Sequence, residues 1–363
     1  MNNRAIKKVL MSGNEAIAQG AIDAGCRFYA GYPITPQNEL TAYMAEHLPE
    51  AGGVFIQAES EISAVNMVYG AAATGARAMT SSSSPGISLK QEGISFLACA
   101  ELPAVIVNIM RAGPGLGNVW PAQSDYFQAT RSGGHGDYHS IVLAPHSVPE
   151  AYMLMLKAFD LADKYRTPVI ILGDGILGQM MEPLIVHSPQ STVHRKKSRL
   201  STKKWALSGC KDREPNIVTS FRLKEGDLEQ LNLALQRKYK LIQARQQRYE
   251  GAFLEDAQII LVAYGSMARI ARTVVQKLRD KGRKAGFIRP ITLWPFPDNI
   301  FKHLSAKGKG LKFLVIEMSY GQMLEDVQLA LAGKFPVKFF GRAGGGVPTE
   351  EEIIKSSLSL LSS

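Results

Sequence analysis

The stretch Gly31-Tyr-Pro-Ile-Thr-Pro36 decides the fold. It follows the short apolar run Phe28-Tyr-Ala30 and precedes residues 37–47, whose apolar positions recur at helical spacing. Strand, stiff turn and helix in that order make one step of an α/β alternation. Pro33 and Pro36 fix their own φ and bias Tyr32 and Thr35 toward extended shapes. Pro36 suits the first turn of the following helix, and Thr35 is placed to cap it. The loop therefore presents the Thr35 hydroxyl from a rigid frame at a strand end.

The alternation runs outward from there. Residues 13–24, 37–47, 61–74, 87–100 and 148–165 read as helices, and 27–30, 54–58, 78–80, 104–110 and 168–172 as strands. The first eight residues lead directly into the first helical pattern, with no signal peptide. Residues 1–187 are thus expected to form a mostly parallel sheet with helices on both faces. Residues 188–255 break the pattern. Positions 188–220 are polar, basic and irregular, and 227–249 read as one long charged helix with Leu228, Leu231, Leu235, Tyr239 and Ile242 on one face. This reads as a basic linker wrapped over a surface. Residues 256–363 resume the alternation as a second, smaller α/β domain, and no short-period repeat is evident.

Composition bounds the function. The chain has 363 residues, 45% hydrophobic and 20% charged, as expected of a soluble globular protein. No apolar run is long enough to span a bilayer, so the expected location is cytoplasmic and no membrane partner is expected. Cys26, Cys99 and Cys210 are widely separated, which excludes a disulfide framework and the tight cysteine runs of an iron–sulfur cluster. Residues 195–248 hold 15 Lys or Arg against 5 Asp or Glu, a surplus equal to the whole net charge of +10. That segment reads as a solvated basic surface or a docking face for an acidic partner. Its aromatics are sparse, which argues against base stacking and nucleic acid.

Further strand-end loops carry chemistry. In Gln57-Ala-Glu-Ser-Glu-Ile-Ser-Ala64, two carboxylates stand two residues apart at a helix start. They do not share a helix face, so one can face solvent while the other points into a crevice. Ile62, Ala64, Val65 and Met67 are expected to form an apolar neighbourhood that raises a carboxyl pKa. Thr80-Ser-Ser-Ser-Ser-Pro-Gly86 offers hydroxyls and close backbone approach before a helix, or a flexible turn. Arg111, with Ala-Gly-Pro-Gly-Leu-Gly117 after it, stands at the tip of an apolar strand, where a guanidinium can take a carboxylate bidentately. The glycine spacing is not a dinucleotide fingerprint. Gly173-Asp-Gly175 reads as a turn. Gly341-Arg-Ala-Gly-Gly-Gly-Val-Pro348 suits an anion or tight packing against a partner chain. His135, Asp137 and His139 lie in a glycine loop, a poor metal signal, and no metal site is expected on this chain.

Taken in order, several of these motifs resemble one family. Gly31-Tyr-Pro-Ile-Thr-Pro36, the run from Gln57 to Ala64, Ser82-Ser-Ser-Pro-Gly86, Lys90-Gln-Glu-Gly93, Met110-Arg-Ala-Gly-Pro-Gly115, Gly134-His-Gly-Asp137, Gly173-Asp-Gly175 and Gly321-Gln-Met-Leu-Glu-Asp326 are similar to those of the α subunit of 2-oxoacid:ferredoxin oxidoreductases. The likeness covers almost the whole chain. The run from Thr80 to Gly93 most resembles the branched-chain (3-methyl-2-oxobutanoate) enzymes, with the 2-oxoglutarate enzymes next.

The resemblance implies a pyrimidine-binding domain for thiamine diphosphate at residues 1–187 and a transketolase C-terminal-like domain at 256–363. It implies a β subunit that carries the diphosphate site, Mg²⁺ and a [4Fe–4S] cluster, with γ and δ subunits beside it. It implies CoA-dependent oxidative decarboxylation of a 2-oxoacid to an acyl-CoA and CO₂, with electrons passed to ferredoxin. Glu61 matches the residue that hydrogen-bonds the aminopyrimidine and favours the imino tautomer that removes the thiazolium C2 proton. Thr35 and Arg111 match residues that meet the 2-oxoacid, and Glu59 is left as the outward neighbour. The alternatives are a 2-oxoglutarate or pyruvate specificity, a non-catalytic scaffold that keeps the fold without needing Glu61, and a nucleic-acid binder driven by the basic segment.

Overall fold

The computed structural model describes residues 7–186, 203–307 and 310–362. The chain begins with β1 (Lys7–Ser12) and α1 (Gly13–Asp23), joined by a reciprocal cap between Ser12 and Glu15. Then follow β2 (Phe28–Gly31), α2 (Asn38–Glu50), β3 (Val54–Gln57), α3 (Glu61–Ala73), β4 (Ala78–Ser82), α4 (Ser84–Cys99) and β5 (Ala104–Met110). A short α5 (Tyr126–Thr130), β6 (Ile141–Leu143), α6 (Val148–Tyr165), β7 (Pro168–Asp174), a short α7 (Gly175–Gln179) and β8 (Met181–Val186) complete the first unit. Strands β6, β7, β5, β4, β2 and β3 lie side by side in that order and are all parallel. Every residue of β4, β5 and β7 is buried, which is why β5 reads as an unbroken apolar run.

Further along the chain come α8 (Asp227–Arg245), which lies within the basic segment, β9 (Tyr249–Ala252), β10 (Ile259–Val262), α9 (Gly265–Asp280), β11 (Ala285–Pro290), β12 (Thr292–Trp294) and α10 (Asp298–Lys307). The chain ends with β13 (Lys312–Glu317), α11 (Gln322–Leu331), β14 (Val337–Gly341) and α12 (Glu350–Ser362). The second sheet has the order β14-β13-β10-β11-β9, with only β9 antiparallel. Strand β12 leaves that unit and pairs antiparallel with β6, so the second half of the chain supplies the edge of the first sheet.

The two halves are also bolted side chain to backbone. Gln123 takes its second-unit partners from both ends of its amide: Nε2 donates to the Tyr264 carbonyl at 2.9 Å and Oε1 accepts from Met318 N–H at 3.0 Å. Asp174 caps α7 through Ile176 and Leu177 N–H and accepts a third bond from Ser266 N–H at 3.2 Å. Gly173-Asp-Gly175 is therefore more than a turn: it ends a strand, caps a helix and joins the halves.

Several expectations change. Residues 7–12 form a strand, not a lead into a helix, because they pair in antiparallel register with β8. Helix α4 starts at Ser84, three residues early, with Pro85 in its first turn, so the serine run is strand end and helix start and not a flexible turn. Helix α8 ends at Arg245, and Tyr249 begins a strand. Its buried face is Leu235, Tyr239 and Ile242, while Leu228 stays half exposed. Of the basic segment, residues 188–202 lie outside the described residues. The part that follows lies on the first unit: Leu207 N–H bonds the Ala73 carbonyl at 2.9 Å, and Lys203 and Arg166 both stand over the Trp205 ring.

Candidate active site

The loops that leave the C-terminal ends of β2, β3, β4 and β5 lie at one end of the parallel sheet, the end at which ligands of open α/β sheets bind. Thr35 sits in the loop after β2 and is exposed. It does not cap α2. That helix begins at Asn38 with Gln37 before it, and the Thr35 hydroxyl accepts instead from the Asn38 amide at 3.3 Å. Pro36 lies before the helix and not in its first turn. Its carbonyl accepts from Asn14 of α1 at 2.8 Å and from Gln179 of α7 at 3.0 Å, which pins the loop from two helices.

The structure separates the two carboxylates. Ser60 caps α3 by accepting from Ser63 N–H, and Glu61 is the first helical residue and buried. Glu59 is exposed, and hydrogen bonds from its own backbone and from Ser63 hold its carboxyl below the usual range. The Glu61 carboxylate lies on Gly86 in the first turn of α4. A Cβ at position 86 would stand 2.5 Å from Glu61 Oε1 and 2.1 Å from Ser82 Oγ, so only glycine leaves room for this contact. The expected apolar surround is only partly there. Ala64 and Val65 are buried, but Ile62 is half exposed, because it follows Glu61 on the opposite side of the helix. In its place stand serine hydroxyls and the wholly buried Lys90, whose ammonium donates to the Glu61 backbone carbonyl at 3.3 Å. Burial pushes the Lys90 pKa down to about 8, against the opposing pull of Glu61.

Arg111 is buried at the tip of β5. Nη1 donates to the Thr35 carbonyl at 3.0 Å and Nη2 to the Leu116 carbonyl at 3.1 Å, while Nε has no partner among the described residues. Two of its five N–H groups are thus used for position, and the rest remain for an anion. Its backbone N–H bonds Ser84 Oγ at 3.0 Å. Ser84 Oγ also donates to Asp125 at 2.6 Å, and Asp125 accepts from Asn108 at 2.8 Å. Burial raises the Asp125 carboxyl above its ordinary range, with these two bonds opposing. Thr35 and Arg111 are therefore in direct contact. Glu61 joins them through the serine run, since Ser84 holds Arg111 and Gly86 lies under Glu61.

The strand end and helix start beside them are rich in hydroxyls. Thr80 Oγ1, Ser82 Oγ and Ser83 Oγ are buried without a partner among the described residues. A buried hydroxyl left unpaired costs about 1–3 kcal/mol, so each of these groups, like Arg111 Nε, is open to a polar ligand. A carboxylate beside a glycine-made recess and neighbouring hydroxyls suits a flat nitrogen heterocycle, which the pyrimidine of thiamine diphosphate is. Gly86, Lys90, Ser84 and Asp125 carry no individual role in the sequence reading. The available signal is the spacing of Gly86, Lys90 and Gly93, which share one face of α4.

Other candidates fall elsewhere. His139 stacks on Trp294 at 4.5 Å and meets the edge of Tyr239, and burial lowers its pKa. It belongs to the joint between β12, α8 and the glycine loop. His135 and Asp137 are exposed. Among the described residues no group of three or more His, Cys, Asp and Glu is placed to hold a metal ion. The 341–348 loop packs within the chain: Gly345 lies on the Trp120 ring and the Gly344 carbonyl accepts from Asn118 at 3.1 Å. Between these loops, Pro114, Asp125, Tyr320 and Gly344 line a cleft of about 540 Å³. Cys26 is buried, Cys99 half-buried and Cys210 exposed, all as free thiols. Among the described residues no helix is long and apolar enough to cross a membrane.

Comparison with known proteins gives the family and the fold. Residues 19–244 match the family described as pyruvate flavodoxin/ferredoxin oxidoreductase, thiamine diphosphate-binding, and residues 257–353 match pyruvate:ferredoxin oxidoreductase core domain II. The chain is 50% identical over 346 residues to the ketoisovalerate oxidoreductase subunit VorB of Methanothermobacter marburgensis, covering 95% of this chain and 96% of that one. It is 37% identical to the 2-oxoglutarate synthase subunit KorA of Methanocaldococcus jannaschii, over 97% of this chain and all of the relative. Among solved structures it is similar to a 2-oxoglutarate:ferredoxin oxidoreductase from Magnetococcus marinus with 2-oxoglutarate, coenzyme A and succinyl-CoA bound. That match has a TM-score of 0.87 and 27% identity, and covers 98% of this chain and 65% of that longer one. A split-gene transketolase, at TM-score 0.56 and 12% identity, shares the fold alone. The chain belongs to the 2-oxoacid:ferredoxin oxidoreductase family, as a subunit of a multisubunit enzyme that carries its thiamine-diphosphate-binding domain.

Proposed function

We propose that this subunit serves a CoA-dependent oxidative decarboxylation of 3-methyl-2-oxobutanoate, with Glu61, Thr35 and Arg111 as its site residues. The substrate rests on the higher identity to the ketoisovalerate subunits, 49–50% against 35–40% for the 2-oxoglutarate ones. Thiamine diphosphate, when bound, supplies the thiazolium carbon that adds to a 2-oxoacid and makes loss of CO₂ possible. This chain holds the pyrimidine end: Glu61, buried on Gly86, exchanges a proton with the ring, and the hydroxyls of Thr80, Ser82 and Ser83 take its polar edge. Arg111, fixed by Thr35 and Leu116, meets the carboxylate of the 2-oxoacid with its remaining N–H groups, and the Thr35 hydroxyl meets its carbonyl.

A β subunit then supplies the diphosphate site, Mg²⁺ and a [4Fe–4S] cluster, with γ and δ chains completing the route to ferredoxin. The observation that carries the reading is the burial of Glu61 against Gly86 with its neighbour Glu59 in solvent. The test is anaerobic purification of the assembled complex, followed by CoA-dependent viologen reduction with a panel of 2-oxoacids. The expected result is the highest kcat/KM with 3-methyl-2-oxobutanoate. A preference for 2-oxoglutarate or pyruvate overturns the substrate assignment, and no CoA-dependent reduction with any 2-oxoacid overturns the activity.

A further inference from the structure

Lys90 is a buried cation to which the reaction, as outlined above, gives no task. Its side chain is wholly inaccessible, and among the described residues its ammonium makes one hydrogen bond, to the Glu61 carbonyl. A lysine is almost never fully buried unless something pairs with it. Lys90 could as well be an inert core residue whose stem fills space. Three features point the other way.

The first is register. Gly86, Lys90 and Gly93 lie at i, i+4 and i+7 on α4 and face α3. Gly86 receives the Glu61 carboxylate, and Lys90, one turn further on, receives the backbone of the same residue. Glu61 thus lies against one helix face at both ends, its carboxylate beside Gly86 and its carbonyl bonded by Lys90. The second is depth. A Cβ on Gly93 would stand 2.4 Å from the Val65 side chain, so the glycines let α4 approach α3 closely, and that approach sets the reach of Lys90. The third is isolation. Among the described residues, Glu61 is the charged group that opposes the effect of burial on Lys90. Strand β5, on which α4 packs, carries no charged side chain, and Asp174 of β7 is committed to the backbone of α7 and Ser266. The adjoining loop rests Gly133 and Gly134 on Gln91, with His135 and Asp137 exposed.

We propose that Lys90 is a positioning residue for Glu61: it fixes the start of α3 and supplies the counter-charge that keeps the Glu61 carboxylate in place for the pyrimidine. The inference rests on the reading of Glu61 given above. It adds a second titrating group to the site, because burial brings the Lys90 pKa down to about 8. Above that pH the counter-charge is lost, while the neutral amine still donates to the Glu61 carbonyl.

The test uses the assembled complex with wild-type, Lys90→Met and Lys90→Gln chains. The affinity for thiamine diphosphate is measured across the range from about pH 7 to about pH 9.5, with Tm of the cofactor-free complex at the same points. Wild type is expected to lose affinity along a limb from about pH 8 upward, the loss approaching about tenfold toward the top of the range for one unit of pKa coupling. Both variants are expected to show no limb and to bind at neutral pH as wild type does at about pH 9.

Tm carries a second signature. The unfolded chain holds the Lys90 proton up to its ordinary pKa of 10.5, so burial destabilises fully below pH 8 and less and less above it. The Tm difference between Lys90→Met and wild type is therefore expected to move against the variant as pH rises. A variant that keeps the wild-type limb, or a Tm difference constant with pH, overturns the proposal. Should neither variant assemble, a wild-type affinity that is flat through pH 8 overturns it as well. Glu61→Gln is run beside them. If Glu61→Gln leaves C2 proton exchange intact, the reading of Glu61 has failed; if it abolishes exchange while Lys90→Met keeps the wild-type profile, only the inference on Lys90 has.

Discussion

Arg111 donates from Nη1 to the backbone carbonyl of Thr35 at 3.0 Å, which ties together two strand-end loops 76 residues apart. The same guanidinium holds the Leu116 carbonyl, so one side chain sets the spacing of both loops and still has N–H groups to spare. Arg111→Ala is expected to raise KM for the 2-oxoacid by about 10- to 100-fold, the range for loss of a charge-assisted partner. Arg111→Lys is expected to recover little of it, since one ammonium cannot span both carbonyls and a carboxylate. Steady-state kinetics on the complex decide, and an unchanged KM in Arg111→Ala removes the residue from the substrate site.

Gly86 sets the seat of Glu61. A Cβ there meets the ends of two side chains, Glu61 and Ser82, which can turn aside. Gly86→Ala is therefore expected to fold, with a stability change within about 1–3 kcal/mol, while thiamine diphosphate affinity falls at least about tenfold. Denaturant titration and calorimetric titration of the cofactor separate the two effects. Wild-type affinity in Gly86→Ala contradicts the placement.

The joint between the halves of the chain should be acid-labile. Arg289 of β11 is buried and holds both carboxylate oxygens of Glu150 at 2.8 Å, while His146 bonds the same group at 2.5 Å. Burial alone would raise the Glu150 pKa, but the bonds from His146 and Arg289 prevail and hold it at about 2. A carboxyl whose folded pKa lies below its ordinary 4.5 contributes stability that is full above that pH and lost as pH falls toward 2. The contribution is about 3 kcal/mol near neutrality. Glu150→Gln should lower Tm at pH 7, and its deficit should shrink as pH drops from about 4.5 toward 2. A deficit that does not change with pH would exclude the ionic account.

How much of this is legible in the sequence differs from element to element. Strand β5 is plain, because burial on both faces makes Ala104–Met110 one apolar run. Thr35, Glu61 and Arg111 are legible as a set, because each stands just past a strand and a parallel sheet gathers such positions at one end. What separates Glu61 from Glu59 is not in their spacing. It lies in Gly86, which reaches Glu61 from another helix. Strands β1 and β12 are hard to see for a related reason. The first, with Lys7 and Lys8 at its start, gains its order from pairing with residues more than 160 positions away, and the second has three residues and joins a sheet built by the other half of the chain. Lys90 reads as an ordinary charge on a helix until the glycines on either side of it bring α3 close enough to bury it.

The central claim is that Glu61 moves a proton on the cofactor's pyrimidine ring. The most direct measurement is exchange of the thiazolium C2 proton with deuterium, followed by NMR after rapid acid quench, in assembled complexes carrying wild-type or Glu61→Gln chains. The account predicts that Glu61→Gln still assembles and binds thiamine diphosphate but exchanges at least about 100-fold more slowly, the usual worth of a positioned general acid–base group. Exchange at the wild-type rate in a complex shown to hold the cofactor would contradict it.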